Sequence, residues 1–310
     1  MRIIRTRAVG AALLVLALVA TACGSGDGSI EGEGDTVVVS SFNFNESTIV
    51  AEIYAQVLED RGVDVDRQLN LGNREIVKPA LESGEISLVP EYLGTLTFFL
   101  GGEPTANVDE TYDIAVPLAE ESNIVLLDPA PAQDKNGFAV TRATADEFGL
   151  SAVSDLQGVA GDLRLGGPPE CPERDLCLPG LESVYGVTVG EFVPLDSSGP
   201  LTRTALDNGE IDVAVVFTTI AWLAADDLVL LEDDQGLQPV ENLTPAFNAD
   251  VLESWGGADG DVAQVLNEVS AALTTDGLTA LNQQADLDGE DPADVARGWL
   301  VDNGFLDGDA

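Results

Sequence analysis

Apolar positions along the chain recur with two alternating periods. TVVVSS (36–41) is a β-branched run that predicts a strand. STIVAEIYAQVLEDRG (47–62) places Ile49, Ile53, Val57 and Leu58 on one helical face, with Gly62 as a stop. VDVDRQLNLG predicts a second strand, REIVKPALESG a short helix with Pro79 near its start or at a kink, and ISLVPEY a third strand. IVLLDP and NGFAVT continue as strands. The scheme then repeats through LRLGG, LPGLESVYG, EFVPLD, PLTRTALDNG, IDVAVVF and LVLLED. The last part is helical over 262–277, 278–288 and 291–304, the third segment opening on Asp291-Pro292. Strands alternating with helices predict an α/β protein with mostly parallel sheets.

The repeat can be followed residue by residue. ALESGEISLVPEY (80–92) returns as ALDNGEIDVAVVF (205–217), an offset of 125 (205 minus 80). Gly84-Glu85-Ile86 becomes Gly209-Glu210-Ile211, and Tyr92 becomes Phe217. RGVDV (61–65) is echoed by YGVTV (185–189), and IVLLD (124–128) by LVLLE (228–232). The chain therefore reads as two similar lobes, each ending a strand with an aromatic. Ligands of such sheets sit beyond the carboxyl ends of the strands. Tyr92 and Phe217 are thus candidate walls of one shared cleft; the alternative is that each ring plugs its own core.

Composition narrows the function. The 310 residues are 45% hydrophobic, enough for one large or two medium cores. Thirteen Lys+Arg against 55 Asp+Glu give a net charge of -42. A nucleic-acid partner needs a basic face and is excluded by that balance. The acidity serves solubility in a salty habitat, or it draws in a cationic ligand. Histidine is absent, which removes the usual general base, the Ser-His-Asp triad and most transition-metal sites. No Gly-x-x-x-x-Gly-Lys-Ser/Thr loop is present, so the chain is not expected to be an ATPase itself. Neither an enzymatic activity nor a cofactor nor a metal is expected.

The N-terminal residues read as an address. Arg2, Arg5 and Arg7 precede an apolar stretch from Ala8 to Ala20 that is short for a bilayer span, and Ala20-Thr21-Ala22 leads into Cys23. This resembles a bacterial lipoprotein signal over 1–22, with Cys23 as the lipidated residue. An ordinary signal peptide and an anchor helix are the alternatives. Residues 23–35 have the Gly/Ser/acidic make-up of a flexible tether. The expected location is extracytoplasmic, on the outer face of the cell membrane through the lipid. Cys171 and Cys177 remain, in PPECPERDLCLPG. In an oxidising compartment so close a pair is expected to form a disulfide, with free thiols as the alternative.

Several stretches resemble one family, the glycine betaine/choline (quaternary-amine) substrate-binding proteins of ABC importers. They are FNFNES (42–47), AEIYAQVLEDRG (51–62), LNLGNREIVKPALESGEISLVPEYLGT (69–95), GGPPECPER (166–174), GLESVYG (180–186), NGEIDVAVVFTT (208–219), LVLLEDD (228–234) and LNQQADLDGEDPADVARGWL (281–300). The block at 69–95 is the specific one. The resemblance implies a two-lobed type II periplasmic-binding-protein fold, with lobe 1 from 36–136 and 241–310 and lobe 2 from 137–240. The crossovers would fall near 135–138 and 237–243. It implies a solute-binding protein that closes on a small osmoprotectant and docks on an ABC permease served by a separate ATPase subunit.

By position, the resemblance implies ligand contacts from Tyr92, from Phe217 with Thr218 and Thr219, and from Gln133, Asp134 and Asn136 at the crossover. Ser47 stands where relatives often place a ligand-touching Gln. Asp134 is the candidate carboxylate for a cation, a solvated loop aspartate being the alternative. Arg74 reads as a clamp for an anionic group or as the partner of Glu75 or another acid. Asn136 and Leu178 stand where choline-type relatives often carry Tyr. A sensor component that presents its ligand to a signalling partner, and a binder of another small solute, are the rival readings.

Overall fold

The computed structural model describes residue 30 and residues 34–308. The expected signal segment, Cys23 and most of the expected tether lie outside the described residues.

Strands β1 (Val37–Phe42), β2 (Val65–Gly72), β3 (Leu88–Tyr92), β4 (Ile124–Leu126) and β10 (Leu243–Asn248) form one sheet, in the order β2-β1-β3-β10-β4. Strands β5 (Asn136–Thr141), β6 (Arg164–Gly167), β7 (Glu191–Pro194), β8 (Val213–Phe217) and β9 (Leu228–Leu230) form the other, in the order β7-β6-β8-β5-β9. The positions match: the first crossing of the chain enters the second sheet through β5, and the return enters the first through β10. Helices α1 (Asn45–Asp60), α2 (Arg74–Ser83), α3 (Leu93–Phe99) and α4 (Val108–Glu120) accompany the first sheet. Helices α5 (Arg142–Phe148), α6 (Leu178–Tyr185), α7 (Pro200–Asp207) and α8 (Trp222–Ala225) accompany the second. Helices α9 (Ala249–Ser254), α10 (Asp261–Ala272), α11 (Thr275–Asp286) and α12 (Pro292–Asp302) complete the chain.

In each sheet four strands run the same way, in line with the mostly parallel sheets expected, and one runs against them, so the sheets are mixed. β10 runs antiparallel to β3 and β4, and β5 antiparallel to β8 and β9. The reason lies in the crossovers. A chain leaving one lobe arrives at the cleft side of the other, so its first strand must run away from the cleft, against its neighbours. β10 escaped the sequence reading because Pro245 sits in it, and proline argues against a central strand; here it lies opposite Pro90 of β3. Pro79 is inside α2 rather than near its start.

Each sheet has its own apolar core. Val39, Ile49, Ile53, Leu88 and Phe247 are fully buried in the first. α1 is covered on most sides by α10, α11 and α12, which explains why its buried residues outnumber a single stripe. Phe138, Leu165, Leu181, Tyr185 and Val213 anchor the second lobe. There Cys171 and Cys177 are joined, with Cα atoms 5.2 Å apart.

The two crossovers touch. The Asp134 N–H donates to the Glu241 carbonyl at 3.0 Å, and Gln133 bridges to Asn242. α3 begins against the second crossover through Gly94; a Cβ there would lie 2.3 Å from the Val240 carbonyl oxygen, so only glycine allows this approach. Among the described residues no helix is long and apolar enough to cross a membrane.

Candidate ligand-binding cleft

Four rings converge between the lobes. Phe42 is the last residue of β1, and Tyr92 the last of β3. Phe44 caps the start of α1 in extended conformation, and Phe217 ends β8. The Phe44 ring lies 5.2 Å from that of Phe217 and 6.0 Å from Tyr92, and Phe42 lies 6.4 Å from Tyr92. The register of β1 with β2 slips between Ser40 and Phe42. Such irregularities re-aim a side chain beside functional sites, and Phe42 here faces the cleft. The rings line a cavity of about 270 Å³, together with Asn43, Asn73, Asp134, Asn136, Arg174 and Glu241. That is just below the usual range of about 300–1,000 Å³ for ligand sites.

Beneath the rings lies a buried polar layer. The Tyr92 hydroxyl donates to Glu46 at 2.8 Å, and Asn282 of α11 donates to the same carboxyl at 2.7 Å. The Thr219 hydroxyl donates to Glu46, and the Thr219 N–H donates to Asp134 at 3.1 Å. Thr218 donates to Asp134 at 3.3 Å and accepts the Lys135 N–H at 2.9 Å. Thr219 thus ties residues of both lobes and the first crossover together. Burial raises the Glu46 carboxyl above the usual range against the pull of hydrogen bonds from Thr219, Asn282, Tyr92 and Asp134. Burial, and then the neighbouring Glu46 charge, hold Asp134 well above it.

The arginines of the cleft already have partners. Arg74 is buried and donates to Glu91 at 2.7 Å, with its guanidinium 5.3 Å from the Phe42 ring centre. Burial opposes its charge, but Glu91, together with Glu241 and Glu75, more than offsets this. Arg174, on the disulfide-closed loop of the second lobe, donates to Glu75 of α2 at 2.8 Å and reaches the Phe99 ring at 6.0 Å. Glu241 accepts the Thr95 hydroxyl and N–H; burial pushes it up to about 7.

The expected residues fall into two groups. Tyr92, Asp134, Asn136 and Phe217 line the cavity. Thr218 and Thr219 stand behind it and hold Asp134. Ser47 turns into the first lobe, where its hydroxyl accepts the Phe42 N–H at 2.9 Å, so it shapes the β1 end rather than the cavity. Gln133 joins the crossovers through its backbone, its N–H donating to Thr275 at 3.0 Å. Leu178 packs on the core of the second lobe. Phe42, Phe44, Glu46, Arg174 and Glu241 were missed. The signal for Phe42 was present: it ends β1 as Tyr92 ends β3, and the same rule about strand ends applies to it.

The arrangement is an aromatic box over an acidic floor. Residues 35–302 match the family described as "Substrate binding domain of ABC-type glycine betaine transport system". The chain is similar to the glycine betaine-binding protein YehZ of Escherichia coli (strain K12), 30% identical over 281 residues, 87% of this chain and 91% of that protein. It is similar to the carnitine transport binding protein OpuCC of Listeria monocytogenes, 25% identical over 279 residues, 88% of this chain and 89% of that protein. Among solved structures, a glycine betaine/carnitine/choline ABC transporter protein superposes with a TM-score of 0.68 at 25% identity, covering 87% of this chain and 100% of that one.

Proposed function

The chain belongs to the family of substrate-binding domains of ABC-type glycine betaine transport systems, and from that membership we propose that its cleft holds a quaternary amine against Phe42, Phe44, Tyr92 and Phe217. As a member it is a transport component and not an enzyme. The convergence of four rings above Asp134 is the observation that carries the reading of the site. A trimethylammonium group has charge but no N–H, so hydrogen bonds cannot hold it. Aromatic faces can, at about 0.5–2 kcal/mol each. Asp134 would supply the nearby acid, and Asn136, which also lines the cavity, would meet a polar group of the solute. Phe217 already lies against Phe44 across the cleft, so the lobes would have to part for a solute to enter.

The relatives named for glycine betaine and carnitine support this class of solute. Delivery is to a membrane permease, with ATP hydrolysed by a separate subunit. Attachment outside the cell through Cys23 completes the proposal; that residue lies outside the described ones. Calorimetric titration with glycine betaine, choline, carnitine and proline betaine, with amino acids as controls, tests it. Saturable binding of a trimethylammonium compound is the expected result. Heat from an amino acid alone would overturn the quaternary-amine assignment.

A further inference from the structure

Glu46 and Asp134 are two buried carboxyl groups, 5% exposed each, clamped by one residue. Thr219 gives its hydroxyl to the first and its N–H to the second. Every donor to the pair is neutral: Tyr92, Asn282, Thr218 and Thr219. Two carboxyl groups so placed do not both ionise readily, because each charge raises the cost of the other. Glu46 is the member suited to the charge. It accepts three hydrogen bonds and sits in the first turn of α1, where the helix favours an anion. Asp134 is the member suited to the proton, and it is the one that lines the cavity.

Among the described residues no cation donates a hydrogen bond to either carboxyl. From α2, Arg74 is taken by Glu91 of β3; from the disulfide loop, Arg174 is taken by Glu75. The other ionisable groups facing this region are acids or weak acids: Glu241 on the second crossover, Tyr92 on β3, Asp286 on α11, and Glu170, Glu173 and Asp175 on the disulfide loop. Lys135 follows Asp134 in the chain.

We infer that Glu46 and Asp134 hold one proton between them in the absence of solute, and that a cationic solute seated on Tyr92 expels it to water. The inference rests on the quaternary-amine reading of the cleft. The balance is simple: the solute's trimethylammonium group brings one positive charge to the pair, Asp134 loses H⁺ to solvent, any carboxylate of the solute stays ionised, and no covalent bond of the solute changes. Linkage makes the effect reciprocal, so deprotonation must tighten binding by the factor by which binding favours deprotonation. Tyr92 couples the two events, its ring facing the solute and its hydroxyl resting on Glu46.

The test is calorimetry on the purified protein with choline and with glycine betaine, neither of which titrates near neutrality. Each titration is repeated between pH 5 and 8 in buffers of different ionisation enthalpy. The expected result is a buffer-dependent heat that reports release of up to one proton. Where release is complete, affinity should rise by about tenfold per pH unit. Glu46→Gln should reduce the release near neutrality and move the pH dependence to lower pH, because Asp134 keeps its burial but loses its charged neighbour. Asp134→Asn should abolish the release while lowering affinity at high pH. Saturable binding with the same heat in every buffer overturns the proton coupling and leaves the quaternary-amine reading standing. No binding of choline, glycine betaine, carnitine or proline betaine at any pH overturns that reading and the coupling with it.

Discussion

Tyr92 and Arg74 show how different two buried polar side chains of one site can be. Tyr92 offers its face to the cavity and pins its hydroxyl to Glu46. Tyr92→Leu keeps an apolar wall but removes the ring, and a cationic ligand should bind about 0.5–2 kcal/mol more weakly by titration. Tyr92→Phe retains the ring, so it should keep most of that affinity. Arg74 does not need a ligand to be satisfied, since Glu91 holds it at 2.7 Å with both groups almost fully buried. Arg74→Ala would leave Glu91 buried without its counter-charge. Urea unfolding should show a loss of about 3–5 kcal/mol. A loss below 1 kcal/mol would mean that Glu91 finds other relief.

Among the elements, strands that end at the cleft were the most legible in the sequence. ISLVPEY and IDVAVVF announced both the strands and the rings at their ends, because a buried parallel strand reads as one apolar run. β10 did not, because LTPAFN carries a proline and lacks the repeat partner that marked the others. Glu46 was not legible either. A glutamate in the first turn of a helix is ordinary on a surface; only the packing of α11 and Thr219 over it makes it a buried group. The loop from 171 to 177 was legible as a disulfide candidate, but its reach to Glu75 across the cleft was not, since nothing in the sequence relates those positions. Replacing both cysteines by serine frees this loop. The protein should lose about 2 kcal/mol of stability, read as a lower melting temperature, as expected for closing so short a loop. An unchanged melting temperature would show that the loop is held by its packing alone.

For the whole molecule, charge and burial work in the same direction. Glu241 has an acid pushed up to about 7 from an ordinary 4.5. The folded chain therefore binds more protons than the unfolded one between those values. The stability this group contributes is full below about 4.5 and is lost as pH rises through about 7. Glu46 and Asp134 are raised in the same sense. A net charge of -42 adds self-repulsion that grows as acids ionise and that salt screens. The melting temperature should fall from pH 5 to pH 8 and recover with added salt. Glu241→Gln should show a shallower fall. A melting temperature that rises across this range would contradict the assignment.

The four rings are unevenly divided: Phe42, Phe44 and Tyr92 belong to one lobe, and Phe217 stands alone on the other. When the lobes part, three rings stay together and the fourth leaves. On the proposed reading, a solute would therefore meet a preformed landing surface on one side only. The encounter rate would be governed by that surface and by the acidic field around it, and the residence time by how long Phe217 stays down. One lobe would receive and the other retain, so that the two similar halves of the chain would govern opposite ends of the same event.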